Sequence, residues 1–141
     1  MAKVVLLKSK LDAGVPGPEQ FDIVDSPVPK IGDGVLVQLE TISADPYMRN
    51  MLREVSDVKA GSPMYGFVSG RILESKVPEW KAGDIFGANL PYKTVQAVSA
   101  DALKRNPFRK LTGLLPEEQI SVGIGALGMP GATAYGGVIG V

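Results

Sequence analysis

"SVGIGALGMPGATAYGGVIGV", residues 121–141, decides how this chain is read. It carries G-x-G-x-x-G at Gly123, Gly125 and Gly128, the spacing of a dinucleotide-binding loop, and no charged residue occurs from Gln119 onward. Three readings compete. A dinucleotide loop needs a strand before the glycines, a helix opening on them, a second strand, and an acidic residue about 20 positions on. Here the run-up "LPEEQ" has helix-start chemistry, Pro130 closely follows Gly128, and too few residues remain to supply the acid. That reading fails on its context. A membrane span needs about 18 or more uncharged residues, and Gly136 with Gly140 makes a GxxxG contact motif. Against it, Gly and Ala dominate the run, Pro130 sits in its middle, and no Lys or Arg follows. The third reading is an interrupted domain boundary, in which this apolar end packs on a surface beyond residue 141.

Outward from that stretch, composition removes whole classes of chemistry. The 141 residues are enough for one domain with a sizeable core, and 45% hydrophobic with 21% charged content marks a globular chain. Fifteen basic and fifteen acidic residues cancel. The tightest basic cluster, "KRNPFRK" (104–110), is broken by Pro107 and reads as a solvated loop, so nucleic acid is not an expected partner. There is no Cys and no His. Disulfides, thiol catalysis, Cys/His zinc sites and Ser-His-Asp triads are therefore out; a carboxylate-only metal site stays open, although the acidic residues show no loop with cation-binding spacing. The N-terminus has an apolar run only from Val4 to Leu7, against the roughly 7–15 residues of a secretory core, which points to the cytoplasm.

Much of the chain reads as short strands with turn punctuation. "KVVLLK", "FDIVD", "VLVQLETIS", "MYGFVSGRILES", "DIFGANL" and "YKTVQAVS" are the strand candidates. In the third, Val35, Val37 and Leu39 alternate with Gln38 and Glu40, and in the fourth Gly66 and Gly70 suggest bulges or sharp bends. "PYMRNMLREV" (46–55), with Asp45 as cap and Pro46 at its start, predicts a short helix. A second helix is predicted from Pro116, with Glu117 and Glu118 in its first turn. The fold class is mainly β with short helices, as a small barrel or sandwich.

Two motifs, "ISADPYMRN" (42–50) and "GALGMPGATAYGG" (125–137), together resemble the N-terminal part of a zinc-independent medium-chain dehydrogenase/reductase. The branch resembled is that of NADPH-dependent 2-alkenal and prostaglandin/leukotriene reductases, and "KAGDIFG" (81–87) is similar to that branch's turn between two barrel strands. The resemblance implies a GroES-like, partly open β-barrel over residues 1–128. Residues 129–141 would then begin the helix leading into a Rossmann domain absent from this chain. It implies hydride delivery from NADPH to the β-carbon of an enal or enone, with no metal, and a homodimer in the full-length enzyme. It also implies that Tyr47 faces the substrate pocket, and that Met129 and Thr133 lie beside the nicotinamide. No complete catalytic set is present, so the chain alone is expected to be inactive. After "GDIFG" relatives carry aromatic residues walling the substrate site; here the segment is "ANLPYK", and the sequence leaves open whether Tyr92 takes over that role.

Plainer readings stand beside these. Tyr47 could be a partly buried tyrosine at a strand-to-helix turn, Arg49 a structural ion-pair partner, and Thr133 a helix residue bonding a carbonyl one turn back. "SDVK" (56–59) matches S-x-x-K without its companion motifs and reads as a surface loop. Trp80 reads as a packing anchor. The rival function is a non-enzymatic interaction module derived from a truncated reductase, using the apolar C-terminal surface; a membrane-tethered domain is the third.

Overall fold

The alternating segment at 35–43 forms β3 (Val35–Ile42), the strand around which a five-stranded antiparallel sheet is built. The sheet order is β6-β3-β4-β5-β7, with β4 (Tyr65–Ser75), β5 (Ile85–Pro91), β6 (Val95–Val98) and β7 (Arg109–Lys110). β1 (Ala2–Leu7) and β2 (Phe21–Ser26) form a separate antiparallel pair. Isolated bridges, Val4 to Lys93 and Leu6 to Pro63, tie that pair to the rest. The architecture is a partly open barrel, mainly β with few short helices, as read from the sequence. This computed structural model describes residues 1–106 and 108–140. Pro107, read above as the break in the basic cluster, and Val141 lie outside the described residues.

Burial follows the pattern of β3 and then exceeds it. Val35 and Val37 are fully buried, and Leu36 on the opposite face is buried too, so both faces of this half-strand are covered. Leu7, Met51, Leu52, Met64, Val68, Phe86 and Leu90 join them in the main core. A second cluster, Ile85, Leu111, Leu115 and Ile120, is tied to β4 by the buried Ser69 hydroxyl, which donates to the Ile120 carbonyl at 2.8 Å.

The glycines expected to bulge do something else. One register shift falls between Leu39 and Thr41 of β3, opposite Gly70, so there the extra residue belongs to β3 rather than β4. A Cβ on Gly70 would collide with the Gln38 carbonyl, and glycine is what lets the two backbones approach.

Three local expectations are corrected. The helix expected over 46–55 is a 3-10 helix, Pro46–Leu52, and the Asp45 side chain makes no capping hydrogen bond. The turn closes through backbone, Met48 N–H to the Asp45 carbonyl at 3.0 Å. The helix expected from Pro116 shrinks to a 3-10 turn, Ile120–Gly123, because Gly123, Gly125 and Gly128 weaken propagation. "KRNPFRK" is not a solvated loop throughout: Lys104 and Arg105 end α1 (Ala100–Arg105), Phe108 stacks on Phe86 at 4.8 Å, and Arg109–Lys110 pair with β5.

Among the described residues no strand runs into Gly123, so the dinucleotide-loop spacing has no structural counterpart. Gly123 instead makes room for the Leu111 side chain, and Gly128 is the N-cap of α2 (Met129–Ile139), with Pro130 in its first turn. No residue of α2 is buried. Among the described residues no helix is long and apolar enough to cross a membrane, which leaves the membrane-tethered reading without a spanning helix.

Candidate functional site

Pro46 opens the 3-10 helix that follows β3, and the next residue, Tyr47, is thereby placed on the wall of a cavity of about 440 Å³. Tyr65, at the start of β4 and 40% exposed, lines the same cavity. Met51, Val55 and Val58 add apolar surface, and Asn50, Arg53 and Asp57 add polar groups. The cavity is mixed in character, with two tyrosine rings and three aliphatic side chains set beside charged and amide groups.

The wall formed by residues 53–58 is anchored from outside. The Lys10 ammonium donates to the carbonyls of Met51, Arg53 and Ser56 at 3.2, 2.9 and 3.3 Å. Asp12 accepts from the Glu54 amide at 2.8 Å. Arg49 points to the Leu11 carbonyl, so it serves as a hydrogen-bond clasp rather than an ion-pair partner. Ser56 accepts from the Val58 amide within its own loop at 3.2 Å, in keeping with a plain structural role for "SDVK".

Two phenols converge at Gly66, that of Tyr47 from the cavity wall and that of Tyr92 from the core. Tyr92, just beyond β5, is 5% exposed, and its hydroxyl donates to the Ser43 carbonyl at 2.7 Å, with Met48 Sδ at 3.2 Å. A Cβ on Gly66 would lie 2.9 Å from the Tyr47 phenol oxygen and closer still to that of Tyr92. Burial pushes the Tyr92 phenol above its ordinary pKa of 10.0, and Tyr47 and Asp45 add to this. Tyr92 is therefore a protonated donor already engaged by the protein, while among the described residues the Tyr47 phenol has no hydrogen-bond partner.

Met129 and Thr133 lie apart from this cavity, on α2. Met129 is 48% exposed, and the Thr133 hydroxyl donates to the Met129 carbonyl at 2.9 Å, the plain helical reading. Its oxygen keeps its acceptor capacity, and the exposed thioether beside it is apolar. That pair fits the edge of a nicotinamide carboxamide, whose N–H would be the donor. The chain thus brings Tyr47 together with Tyr65, Gly66 and Tyr92, and does not by itself bring Tyr47 together with Met129 and Thr133. Tyr65 and Gly66 were missed as site residues because "MYGF" reads as an ordinary strand with a bulge. The signal was an aromatic next to a glycine, at a strand start that follows a long loop.

The family described as "N-terminal domain of oxidoreductase" matches residues 3–105. Prostaglandin reductase 1 of Rattus norvegicus is 33% identical over 140 residues, covering 98% of this chain and 40% of that protein. The NADPH-dependent curcumin reductase of Escherichia coli (strain K12) is 32% identical over 131 residues, covering 89% of this chain and 36% of that protein. The chain thus spans about 40% of the length of the curated relatives it matches. CurA from Vibrio vulnificus superposes on the whole chain with a TM-score of 0.74 at 22% identity, covering 41% of that structure, and shares the fold.

Proposed function

The chain belongs to the family of N-terminal oxidoreductase domains, and from that premise we propose that it is the substrate-side part of an NADPH-dependent reductase. The reaction is saturation of the C=C bond of α,β-unsaturated aldehydes or ketones, in which the β-carbon gains a hydride and the α-carbon of the resulting enolate gains a proton from water. The observation that carries this reading is the Tyr47 phenol, unengaged among the described residues and lining a cavity walled by both apolar and polar side chains. Residues 1–128 are the GroES-like domain, and 129–141 begin the helix leading to a nucleotide-binding domain supplied by a longer chain. The longer enzyme is a cytoplasmic homodimer in this reading.

NADPH supplies hydride to the β-carbon when bound. This chain's residues orient the acceptor. Tyr47 donates its phenol hydrogen to the carbonyl oxygen, where negative charge grows as the enolate forms. The tyrosine ring and the Val58 side chain hold the hydrocarbon part. Met129 and Thr133 would hold the nicotinamide edge, with the Thr133 hydroxyl oxygen as an acceptor for the carboxamide. Most of the cofactor affinity comes from pyrophosphate and ribose contacts outside this chain, so the chain alone reduces nothing.

The test is the intact mass of the native protein captured from its source cells, followed by NADPH oxidation with a trans-2-alkenal. A longer species that consumes NADPH only with the enal, and whose Tyr47→Phe form loses about tenfold or more in kcat, supports the reading. A working species of 14.9 kDa without reductase activity sinks it.

One observation favours the interaction-module reading: Met129, Tyr135, Val138 and Ile139 of α2 are all exposed and apolar. Under it the 141-residue chain sediments as a stable oligomer, and charged substitutions at Tyr135 and Val138 return it to the monomer.

A further inference from the structure

Tyr92 stands where the sequence leaves a role open, and its surroundings assign one. Its backbone is pinned on both sides: its amide donates to the Met64 carbonyl at 2.7 Å, and its carbonyl accepts from the Val5 amide at 2.9 Å. The ring is packed in the main core. The phenol oxygen is therefore a fixed point, held by backbone hydrogen bonds on both sides of the residue and by the packed ring.

That fixed point bears on both flanks of Tyr47. On one side the hydroxyl hydrogen goes to the Ser43 carbonyl; on the other the oxygen touches Met48 Sδ. Ser43 is held to β4 through its own amide, which donates to the Phe67 carbonyl at 2.8 Å. The turn 43–48 is thus gripped from β4 and from Tyr92, with Tyr47 between the two grips. Gly66 completes the arrangement, because only a residue without Cβ lets both phenol oxygens approach the β4 backbone at one place.

We propose that Tyr92 is the positioning residue for Tyr47: by committing its hydrogen to the Ser43 carbonyl it fixes the turn that aims Tyr47, and it leaves Tyr47 the free phenol donor of the pair. A phenol carries one hydrogen, so an engaged Tyr92 cannot also donate to a carbonyl ligand. The assignment to catalysis rests on the reductase reading above; the assignment of geometry does not.

The experiment separates the two. The full 141-residue chain is labelled with 3-fluorotyrosine, and its four tyrosine resonances are assigned by single Tyr→Phe variants. In Tyr92→Phe, which keeps the ring and removes the hydroxyl, the Tyr47 fluorine resonance should shift or broaden while those of Tyr65 and Tyr135 stay. Binding of trans-cinnamaldehyde, followed by its carbonyl carbon shift, should weaken about fivefold, the equivalent of one typical hydrogen bond. Should Tyr92→Phe fail to fold, Gly66→Ala gives the same test. Its added methyl should displace the Tyr47 and Tyr92 resonances together. An unchanged Tyr47 resonance in whichever variant folds overturns the inference. If Tyr47→Phe binds cinnamaldehyde as the parent does, the substrate role of Tyr47 fails, while a moved Tyr47 resonance in Tyr92→Phe still upholds the positioning.

Discussion

Asp84 shows how much one residue holds at the turn "KAGD". Its carboxylate is fully buried and accepts from the Lys110 ammonium at 2.6 Å, the Lys81 amide at 2.9 Å and the Thr112 hydroxyl at 3.1 Å. Burial works to raise its pKa, but these donors outweigh it and hold the group below the ordinary 3.8. Lys110 in turn lies 5.4 Å from the Trp80 ring centroid, and Trp80 packs edge-on against Phe108, the anchor expected of it. Asp84→Asn should cost about 2 kcal/mol in urea unfolding, below the full value of a buried ion pair because Lys110 remains 43% exposed. The pH dependence has a definite sign. A folded-state pKa below the unfolded one contributes its stability in full above about pH 4 and loses it as pH falls through the folded value. Acid titration of the urea midpoint should therefore fall more steeply for the parent than for Asp84→Asn; equal slopes would remove Asp84 from this role.

At the scale of elements, the β3–β4 ladder depends on close backbone approach and α2 on very little. Gly70→Ala should lose about 1–3 kcal/mol, since the new methyl meets the Gln38 carbonyl and backbone cannot step aside cheaply. A loss under a few tenths of a kcal/mol would mean the strands are less tightly apposed. Gly136 is the opposite case: it lies inside α2 with open space where a Cβ would be. Gly136→Ala should stabilise the helix by about 0.5–1 kcal/mol, seen as a gain in far-ultraviolet helical signal. The strands from β1 to β6 were legible as short apolar and β-branched runs between turn residues, and all of them except β2 place residues in the core. The 3-10 helix at Pro46–Leu52 was legible in place but not in type, because hydrogen-bond spacing is set by the clasp from Arg49 to Leu11 and the grip on Ser43. α1 and β7 were hidden: Ser99 caps α1 through the Ala102 amide at 3.2 Å, yet the short helix has no buried residue to write a periodic pattern.

For the molecule as a whole, the core ends before α2 begins. A chain stopped at Gly128 should keep the parent's urea midpoint within about 0.5 kcal/mol, because no buried residue is removed. A large loss would place α2 inside the folding unit and undo the proposed division at 128/129. While the resemblance carried by "ISADPYMRN" and "GALGMPGATAYGG" pointed to Tyr47 and to a helix from Met129, the sequence by itself determined the β-rich class and the exclusion of thiol and imidazole chemistry. These are local properties: alternation, turn and cap chemistry, and composition need no knowledge of what lies opposite. Tertiary structure alone decided that Tyr47 shares a cavity with Tyr65, that Gly66 clears space for two phenols, and that Tyr92 gives its hydrogen to Ser43. Those pairings join residues about 20 to 50 positions apart, and which of them meet depends on strand register and on the β3 bulge, which no local pattern encodes.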